Sequence, residues 1–347
     1  MENFSVVGTS VPLIDGAEKV TGEGVYGVDV RLPGMLHARI LRSPYPHAKI
    51  IRLDTSEAEK LPGVYAVVTA KDMPDRRVGL SLKDEFILAR DKVRYAGEAV
   101  AAVAAVDLET ADEALRAIQI EYQELPAVFD PSEAMRDGAP VVHEELGSYQ
   151  QSSYQIRFMR PVAGTNIASH IKVRTGDIAK AFQEAAVTLE NTFQCHRIHH
   201  CYLEPHAVLA DYKREKITLW TNGQRPFDIC VYVADLFNVP VSKVRVINTK
   251  IGGGFGGKIT ARLEPVAIAL SRKSKKPVKL VLTRQEEFTG FGGHHSARVK
   301  IKSGATRDGK LTAIEMETIW DAGAYADGGI SVASMAGAAG APGPYHV

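Results

Sequence analysis

The sequence predicts an α+β protein of two domains, and three observations lead to this prediction. Short apolar and β-branched runs alternate with short helical patterns along most of the 347 residues. Hydrophobic residues form 45% of the chain and charged residues 24%, and both proportions are typical of globular proteins. The length is sufficient for two domains that each bury a core of their own.

The first predicted domain spans residues 21–140 and follows an N-terminal arm, residues 1–20, which lacks periodicity and is expected to be extended. Asp107 offers an N-cap for a helix, and Pro44 and Pro46 force a turn between two strands. The predicted strands are 36–41, 48–53, 64–69, 93–106 and 118–122. The predicted helices are 56–61 and 111–117.

The second predicted domain spans residues 166–347, after a linker rich in Gly, Ser and Gln at residues 141–165. Asp177 is expected to cap its first helix. The predicted helices are 178–185, 227–237 and 264–271, and the predicted strands are 187–193, 207–212, 217–221, 244–247, 277–282, 297–301 and 311–319. Because the last residues resemble the start of another strand, we expect this domain to be truncated at Val347.

A glycine-rich loop at residues 252–258, Gly-Gly-Gly-Phe-Gly-Gly-Lys, follows the strand predicted at 244–247. Glycine has no Cβ and tolerates positive φ, so such a loop can bring its backbone close to a ligand and aim several N–H groups at an anion. Phe255 is unusual here, because a flexible linker would carry a small polar residue in its place. The loop therefore indicates a binding site.

Two nucleotide-binding patterns fit the spacing of this loop only in part. Gly252, Gly254 and Gly257 match G-x-G-x-x-G, but the acidic residues that follow the next predicted strand come late, at Glu286 and Glu287. Residues 252–258 also match a P-loop, but Ile259 stands where Ser or Thr would bind Mg²⁺. From the loop alone, a phosphate site, a site for another anion or oxo group, and a surface turn remain alternatives.

Charge and cysteine content exclude several other functions. The formal net charge of +1 gives no basic face, so we expect no nucleic-acid partner. The chain shows no signal peptide and no apolar run long enough to span a bilayer, which predicts a cytoplasmic protein without a membrane partner. With only three cysteines and no C-x-x-C pair, the chain is not expected to hold an iron–sulfur cluster by itself.

Four histidines, at positions 196, 199, 200 and 206, surround Glu204. A zinc site is one interpretation, but a loop followed by a strand does not repeat the helical spacing of ligands, so a packed histidine cluster is favoured. Glu204 itself is interpreted either as a buried acid near a cofactor cavity or, with more weight, as a structural carboxylate that is paired locally.

Several ordered motifs resemble the molybdenum-binding large subunit of the xanthine dehydrogenase and aldehyde oxidase family. They are Ser10-Val11-Pro12, Glu18-Lys19-Val20-Thr21-Gly22, Arg42-Ser43-Pro44-Tyr45-Pro46-His47-Ala48, Val93-Arg94-Tyr95-Ala96-Gly97-Glu98, Leu203-Glu204-Pro205-His206 and the loop 252–258. The resemblance covers nearly the whole chain and is nearest to the branch that contains subunits like those of 4-hydroxybenzoyl-CoA reductase and of aldehyde dehydrogenases. It implies an α/β hammerhead domain followed by part of the first molybdopterin-binding domain, that is, the N-terminal half of a large subunit.

The resemblance also implies roles for particular residues. Phe255, with Gly254 and Gly256, would lie beside the molybdenum oxo ligands, and Gly253 and Gly257 would complete the cofactor loop. The Gln224 side chain would form a hydrogen bond with an oxo ligand, and Glu204 and Ile259 would lie at the substrate pocket. Such donors suit an oxo group because they satisfy an anionic acceptor without adding charge.

The resemblance further implies cofactors, partners and limits. The cofactor would be a molybdenum-pterin, in its cytosine dinucleotide form, with electrons passing to a 2Fe-2S small subunit and an FAD-binding medium subunit in a dimer of heterotrimers. Substrates would be aldehydes, N-heteroaromatics or aromatic thioesters, and Ile259 replaces the glutamate of purine-oxidising members. The catalytic residue is unknown, since the expected base glutamate, the pocket arginine and the second cofactor domain would lie beyond Val347, in the missing C-terminal half. The chain alone is expected to be inactive, and a nucleotide-binding enzyme and a non-enzymatic assembly subunit remain alternatives.

Overall fold

The computed structural model describes residues 4–151, 161–336, 343 and 345 of the chain. Much of the predicted linker, and most of the C-terminal residues on which the expected truncation rests, lie outside the described residues. The strands are β1 (Leu36–Arg42), β2 (Ala48–Asp54), β3 (Val64–Thr69), β4 (Lys92–Val93), β5 (Ala99–Ala105), β6 (Gln119–Glu124), β7 (Val187–Cys195), β8 (Ala207–Lys213), β9 (Lys216–Thr221), β10 (Val244–Asn248), β11 (Val278–Val281), β12 (Ala297–Ala305) and β13 (Leu311–Trp320). The α-helices are α1 (Gly16–Thr21), α2 (Ser56–Lys60), α3 (Leu108–Ala117), α4 (Pro131–Ala134), α5 (Ile178–Gln183), α6 (Pro226–Leu236), α7 (Glu264–Ser274), α8 (Arg284–Gly290) and α9 (Gly329–Ser334).

A seven-stranded mixed sheet, in the order β10-β9-β8-β11-β1-β5-β3, connects the two halves of the sequence. The connection is the parallel pairing of β1 with β11, where Leu36 is opposite Val278. Strand β5 is buried on both faces because its residues alternate between two cores. Ala102 and Ala104 enter the core that contains α7, whereas Ala101, Val103 and Ala105 pack against α3. One sheet thus holds the first half of the chain in register with the second.

Two smaller sheets flank this layer. Strands β4, β2 and β6 form one, within the first half of the sequence, and β13, β12 and β7 form the other. In β7 all nine residues are exposed, so this edge strand contrasts with the buried β5. Across residues 4–151 and 161–336, no helix combines the length and the apolar character that crossing a bilayer requires.

Local capping signals in the sequence were reliable. The Asp107 side chain accepts a hydrogen bond from the Thr110 N–H at 2.8 Å, and the Asp177 side chain accepts one from the Lys180 N–H at 3.1 Å, which confirms both predicted N-caps. The helix after Asp107 begins at Leu108, earlier than the predicted residue 111.

Two predicted elements differ from the structure. The arm is not extended throughout, because α1 forms at its end and stops at Gly22, a left-handed C-cap with φ +80°. The single strand predicted at 93–106 is divided into β4 and β5, which belong to different sheets. The break falls at Gly97, where φ is +105° and a Cβ would lie 2.1 Å from the Thr289 carbonyl oxygen. Only glycine permits the chain to leave one sheet so close to that backbone.

Candidate functional site

The glycine loop leaves the sheet beside the segment that carries Gln224. Strands β9 and β10 are parallel, and Thr221 is opposite Asn248 at their shared end. Both following segments therefore emerge at the same edge of the sheet, where the Thr249 N–H donates to the Thr221 carbonyl at 3.1 Å. This register brings Gln224 to the loop although 32 residues separate it from Gly256.

The loop backbone adopts left-handed conformations at three positions. The φ angles are +92° at Gly253, +49° at Phe255 and +92° at Gly256. A left-handed φ is uncommon for a bulky residue and costs conformational energy, so Phe255 stores local strain. Its side chain is also 68% exposed, which places a large apolar ring on the surface. A strained, exposed aromatic among glycines is typical of a ligand-contacting loop.

Three other glycines are required by close packing rather than by φ. A Cβ would lie 2.6 Å from Glu204 Cβ at Gly252, 2.6 Å from Gln224 Cδ at Gly254, and 2.7 Å from Tyr202 Cε1 at Gly257. Real Cβ atoms do not approach other atoms so closely, so a side chain at any of these positions would force its neighbour to shift. The loop thus packs directly against Glu204, Gln224 and Tyr202.

Hydrogen bonds fix the orientation of the Gln224 amide. Its Oε1 accepts from the Gly256 N–H and from the Lys258 N–H, both at 3.1 Å. The Gln224 backbone N–H in turn donates to the Lys258 carbonyl at 2.8 Å. Because the oxygen is engaged by two backbone donors, the Nε2 group is left as the donor of this side chain.

Glu204 and Lys258 form a buried ion pair behind the loop. Lys258 Nζ lies 3.2 Å from Glu204 Oε2, and the Lys258 side chain has no exposed surface. Burial lowers the pKa of Lys258 from its usual value. The lysine of a P-loop must reach bound phosphates, whereas this ammonium group points into the protein, so the geometry opposes the P-loop interpretation.

Glu204 also accepts two backbone hydrogen bonds. The Gly252 N–H donates to its Oε2 at 2.7 Å, and the Gly27 N–H donates to its Oε1 at 3.2 Å. The side chain is 10% exposed. Its position next to the loop agrees with the local-pairing interpretation, and its role at a substrate pocket stays a prediction.

A second polar network lies under the loop, and the sequence did not predict it. Tyr202 is fully buried beneath Gly253 and Gly257, and its hydroxyl donates to Glu287 Oε2 at 2.5 Å. Glu287 Oε1 accepts from the His206 backbone N–H at 2.5 Å. Burial favours the neutral acid, but the hydrogen bonds from His206 and Tyr202 outweigh it and lower the pKa of Glu287 to about 2.

Two of the histidines near Glu204, His199 and His200, pack against other rings. The His200 ring lies 4.6 Å from that of His294, and the His199 ring lies 4.7 Å from that of Phe288, measured between centroids. No group of three or more potential ligands that could hold a metal ion occurs within the described part of the chain. Burial and neighbouring histidines lower the pKa of His200 to about 4, so this ring is neutral at pH 7.

Ile259 lies at the edge of a cavity of about 520 Å³ between the two halves of the chain. The cavity wall is largely apolar, and its polar members include Tyr95 of the first half and Arg262 of the second. Ile259 therefore adjoins both the glycine loop and a cavity large enough for a small organic molecule.

These features define an α+β protein with a glycine loop whose backbone lies open to a ligand, and the chain matches two family models. Residues 159–347 match the molybdopterin cofactor-binding domain, and residues 21–126 match the a/b hammerhead domain of aldehyde oxidase and xanthine dehydrogenase. The chain belongs to the xanthine dehydrogenase and aldehyde oxidase family of molybdopterin-binding proteins. The resemblance found in the sequence and the predicted fold class are both confirmed.

Individual relatives agree with this assignment. The chain is 36% identical over 337 residues to the nicotinate dehydrogenase large molybdopterin subunit of Eubacterium barkeri, with coverage of 96% of this chain and 75% of the relative. It is 36% identical over 335 residues to a probable xanthine dehydrogenase subunit of Bacillus subtilis strain 168, covering 96% of this chain but 42% of the relative. The chain thus spans less than half the length of the second relative.

Solved structures show the same fold. The reconstituted CO dehydrogenase from Oligotropha carboxidovorans superimposes with a TM-score of 0.79 at 29% identity, covering 90% of this chain and 39% of that one. The quinoline 2-oxidoreductase from Pseudomonas putida 86 gives a TM-score of 0.76 at 30% identity, covering 90% and 39%.

Proposed function

We propose that this chain forms the cofactor-loop half of a molybdenum-dependent oxidoreductase. One observation carries the proposal: strained, exposed Phe255 stands between glycines beside an amide whose Nε2 is available as a donor. The residues fit a molybdenum-pterin, because its oxo and phosphate oxygens are hydrogen-bond acceptors and the loop presents neutral donors. The glycines have no side chains that would obstruct access to these donors.

Each residue of the site has a separate task in this proposal. The Gln224 Nε2 group donates a hydrogen bond to an oxo ligand, and the loop backbone supplies further N–H groups without adding charge. The Phe255 ring covers the site from water, which strengthens these hydrogen bonds. When bound, the cofactor supplies two-electron redox chemistry and oxygen transfer. Tyr202 and Glu204 support the loop from behind.

The finer parts of the proposal concern cofactor form, substrates and partners. We propose the cytosine dinucleotide form of the pterin, a 2Fe-2S subunit and an FAD subunit as electron acceptors, and a cytoplasmic complex. An apolar Ile259 at the cavity favours aldehydes, N-heteroaromatics or aromatic thioesters over purines. Additional polypeptide would complete the active site, since the chain covers only 42% of one relative. An alignment of nearly the same length covers 75% of the nicotinate dehydrogenase subunit, so cofactor subunits of different lengths occur among the relatives.

The test is metal and pterin content in the complex purified after co-expression with its partner subunits under molybdenum-replete conditions. Gln224→Glu is the informative variant, because a carboxylate oxygen can still accept from Gly256 and Lys258 while the Nε2 donor is lost. We expect molybdenum retention on dialysis to weaken by roughly 10- to 100-fold, as for loss of one hydrogen bond to a charged group. Gln194→Glu, on the exposed strand β7, is the matched control.

Four results would contradict the proposal. Absence of molybdenum and pterin from the wild-type complex would remove its basis. Equal retention by Gln224→Glu would show that this amide does not hold the cofactor. Saturable binding of ATP or NAD would instead favour a nucleotide-binding enzyme, and a stable partner complex that never takes up cofactor would favour an assembly subunit.

A further inference from the structure

Both ends of the glycine loop are bound to the same carboxylate oxygen. Oε2 of Glu204 accepts the Gly252 N–H at 2.7 Å at the start of the loop and the Lys258 ammonium at 3.2 Å at its end. The Glu204 backbone N–H also donates to the Gly252 carbonyl at 3.1 Å. The distance between the loop ends is therefore fixed through one side chain outside the loop.

The other oxygen of Glu204 binds the N-terminal segment. Oε1 accepts the Gly27 N–H at 3.2 Å. Next to it, Tyr26 forms a parallel bridge with Lys250, and the Lys250 N–H donates to the Val25 carbonyl at 3.0 Å. The N-terminal segment thus lies along the entry to the loop and shares its carboxylate.

The ion pair is shielded from solvent. The Lys258 side chain has no exposed surface, its Nζ lies 4.8 Å from the centre of the Tyr202 ring, and Glu204 is 10% exposed. A buried pair of this kind is sensitive to removal of one partner, because the remaining charge is left without compensation. Exposed pairs of the same length are not, because water replaces the lost partner.

We infer that Glu204 and Lys258 form a clasp that positions the glycine loop, and that Glu204 is a positioning residue for cofactor binding. The clasp holds the loop ends together so that Phe255 and Gly256 stay in their left-handed conformations. Without it, the loop widens and the strained residues relax. The effect of the clasp on the loop is independent of the proposed function, whereas its consequence for cofactor binding rests on that function.

The first experiment measures amide hydrogen exchange of the purified chain without cofactor. The variants are Glu204→Gln, Lys258→Met and the double variant. In Glu204→Gln we expect exchange at Gly252 and Gly27 to be faster by about tenfold or more, because the ammonium of Lys258 is left buried and unpaired. The double variant should exchange more slowly than Glu204→Gln alone, since it removes that charge as well.

A matched control is the exposed pair Glu190 and Lys300, whose side chains are 50% and 54% exposed at a separation of 2.8 Å. The variants Glu190→Gln and Lys300→Met should change amide exchange rates by no more than about fivefold. In the double variant their effects should be additive. Unchanged exchange at Gly252 in Glu204→Gln, or additive effects of the two clasp variants, would overturn the clasp.

The second experiment separates the clasp from the proposed function. Molybdenum and pterin content is measured for wild type and Glu204→Gln in the co-expressed complex. Loss of cofactor together with faster exchange supports the clasp as a determinant of binding, whereas faster exchange with full cofactor content overturns that consequence. A wild-type complex without molybdenum would refute the proposed function and leave the exchange result on the loop intact.

Discussion

Two groups of buried carboxylates, with different hydrogen-bond partners, have pKa values that shift in opposite directions. Glu287, under the glycine loop, has a pKa lowered to about 2. Asp84 and Glu98, where the first half of the chain meets residues 324–327, have pKa values raised to about 7. All three side chains are nearly or fully buried. Burial alone therefore does not decide whether an acid in this protein is charged.

The donors around Glu287 and Asp84 explain the difference between these two acids. Glu287 accepts from the Tyr202 hydroxyl and from both the backbone N–H and the ring of His206. Asp84 accepts one N–H, from Ala326 at 2.8 Å, and its Oδ1 is buried without a partner among the described residues. Burial is the main cause of its raised pKa, and the nearby acid Glu85 adds to it. Hydrogen-bond donors thus outweigh desolvation at Glu287 but not at Asp84.

The largest expected effect is on stability at the Glu287 network. Glu287→Ala leaves the Tyr202 hydroxyl and the His206 N–H without their buried acceptor. We expect the free energy of unfolding to fall by about 3 kcal/mol or more. Urea denaturation of the chain at pH 7 measures it. Gln285→Ala, an exposed neighbour on α8, is the control and should change stability by about 0.5 kcal/mol or less.

A loss of less than about 1 kcal/mol in Glu287→Ala would contradict this description of the network. It would mean that water or a relaxed Tyr202 replaces the carboxylate, and that the two groups of acids do not differ in the way their pKa values indicate.

An intermediate effect is expected from pH alone, with opposite signs at the two sites. The folded pKa of Asp84 exceeds its unfolded value of 3.8. Its contribution to the free energy of unfolding is therefore fully present below about pH 4 and is lost as the pH rises to about 7. The folded pKa of Glu287 lies below 4.5, so its contribution is present above that pH and is lost as the pH falls toward 2.

Local amide exchange distinguishes the two sites. The Ala326 N–H donates to Asp84 and the His206 N–H donates to Glu287. After correction for intrinsic exchange, opening at Ala326 should increase between about pH 4 and 7, and opening at His206 should increase below about pH 4.5. The same pH dependence at both amides would refute the contrast.

The elements that the sequence predicted well are those determined by neighbouring residues. Asp107 and Asp177 cap helices through groups three residues away. The seven-stranded sheet could not be predicted, because the pairing of β1 with β11 joins residues 242 positions apart, such as Leu36 and Val278. No local pattern encodes that register.

The site shows the same limit. The sequence indicated the loop and Gln224, but it presented Glu287 only as an acid placed late for a nucleotide fingerprint. The structure buries Glu287 against His206, which lies 81 positions earlier. Lys258 matched a P-loop by spacing, whereas its ammonium binds Glu204 inside the protein. A side chain's direction depends on tertiary packing, which spacing does not report.

The smallest expected effect comes from Asp84→Asn, and it separates charge from hydrogen bonding most directly. An asparagine has the shape of the protonated acid and can still accept the Ala326 N–H. At pH 5, where Asp84 is protonated in the fold, we expect a change in unfolding free energy of about 1 kcal/mol or less, with less pH dependence between pH 4 and 7. Urea denaturation at several pH values measures both. A loss at pH 5 as large as that of Glu287→Ala would show that Asp84 is ionised like Glu287, and that the two groups hold the same charge after all.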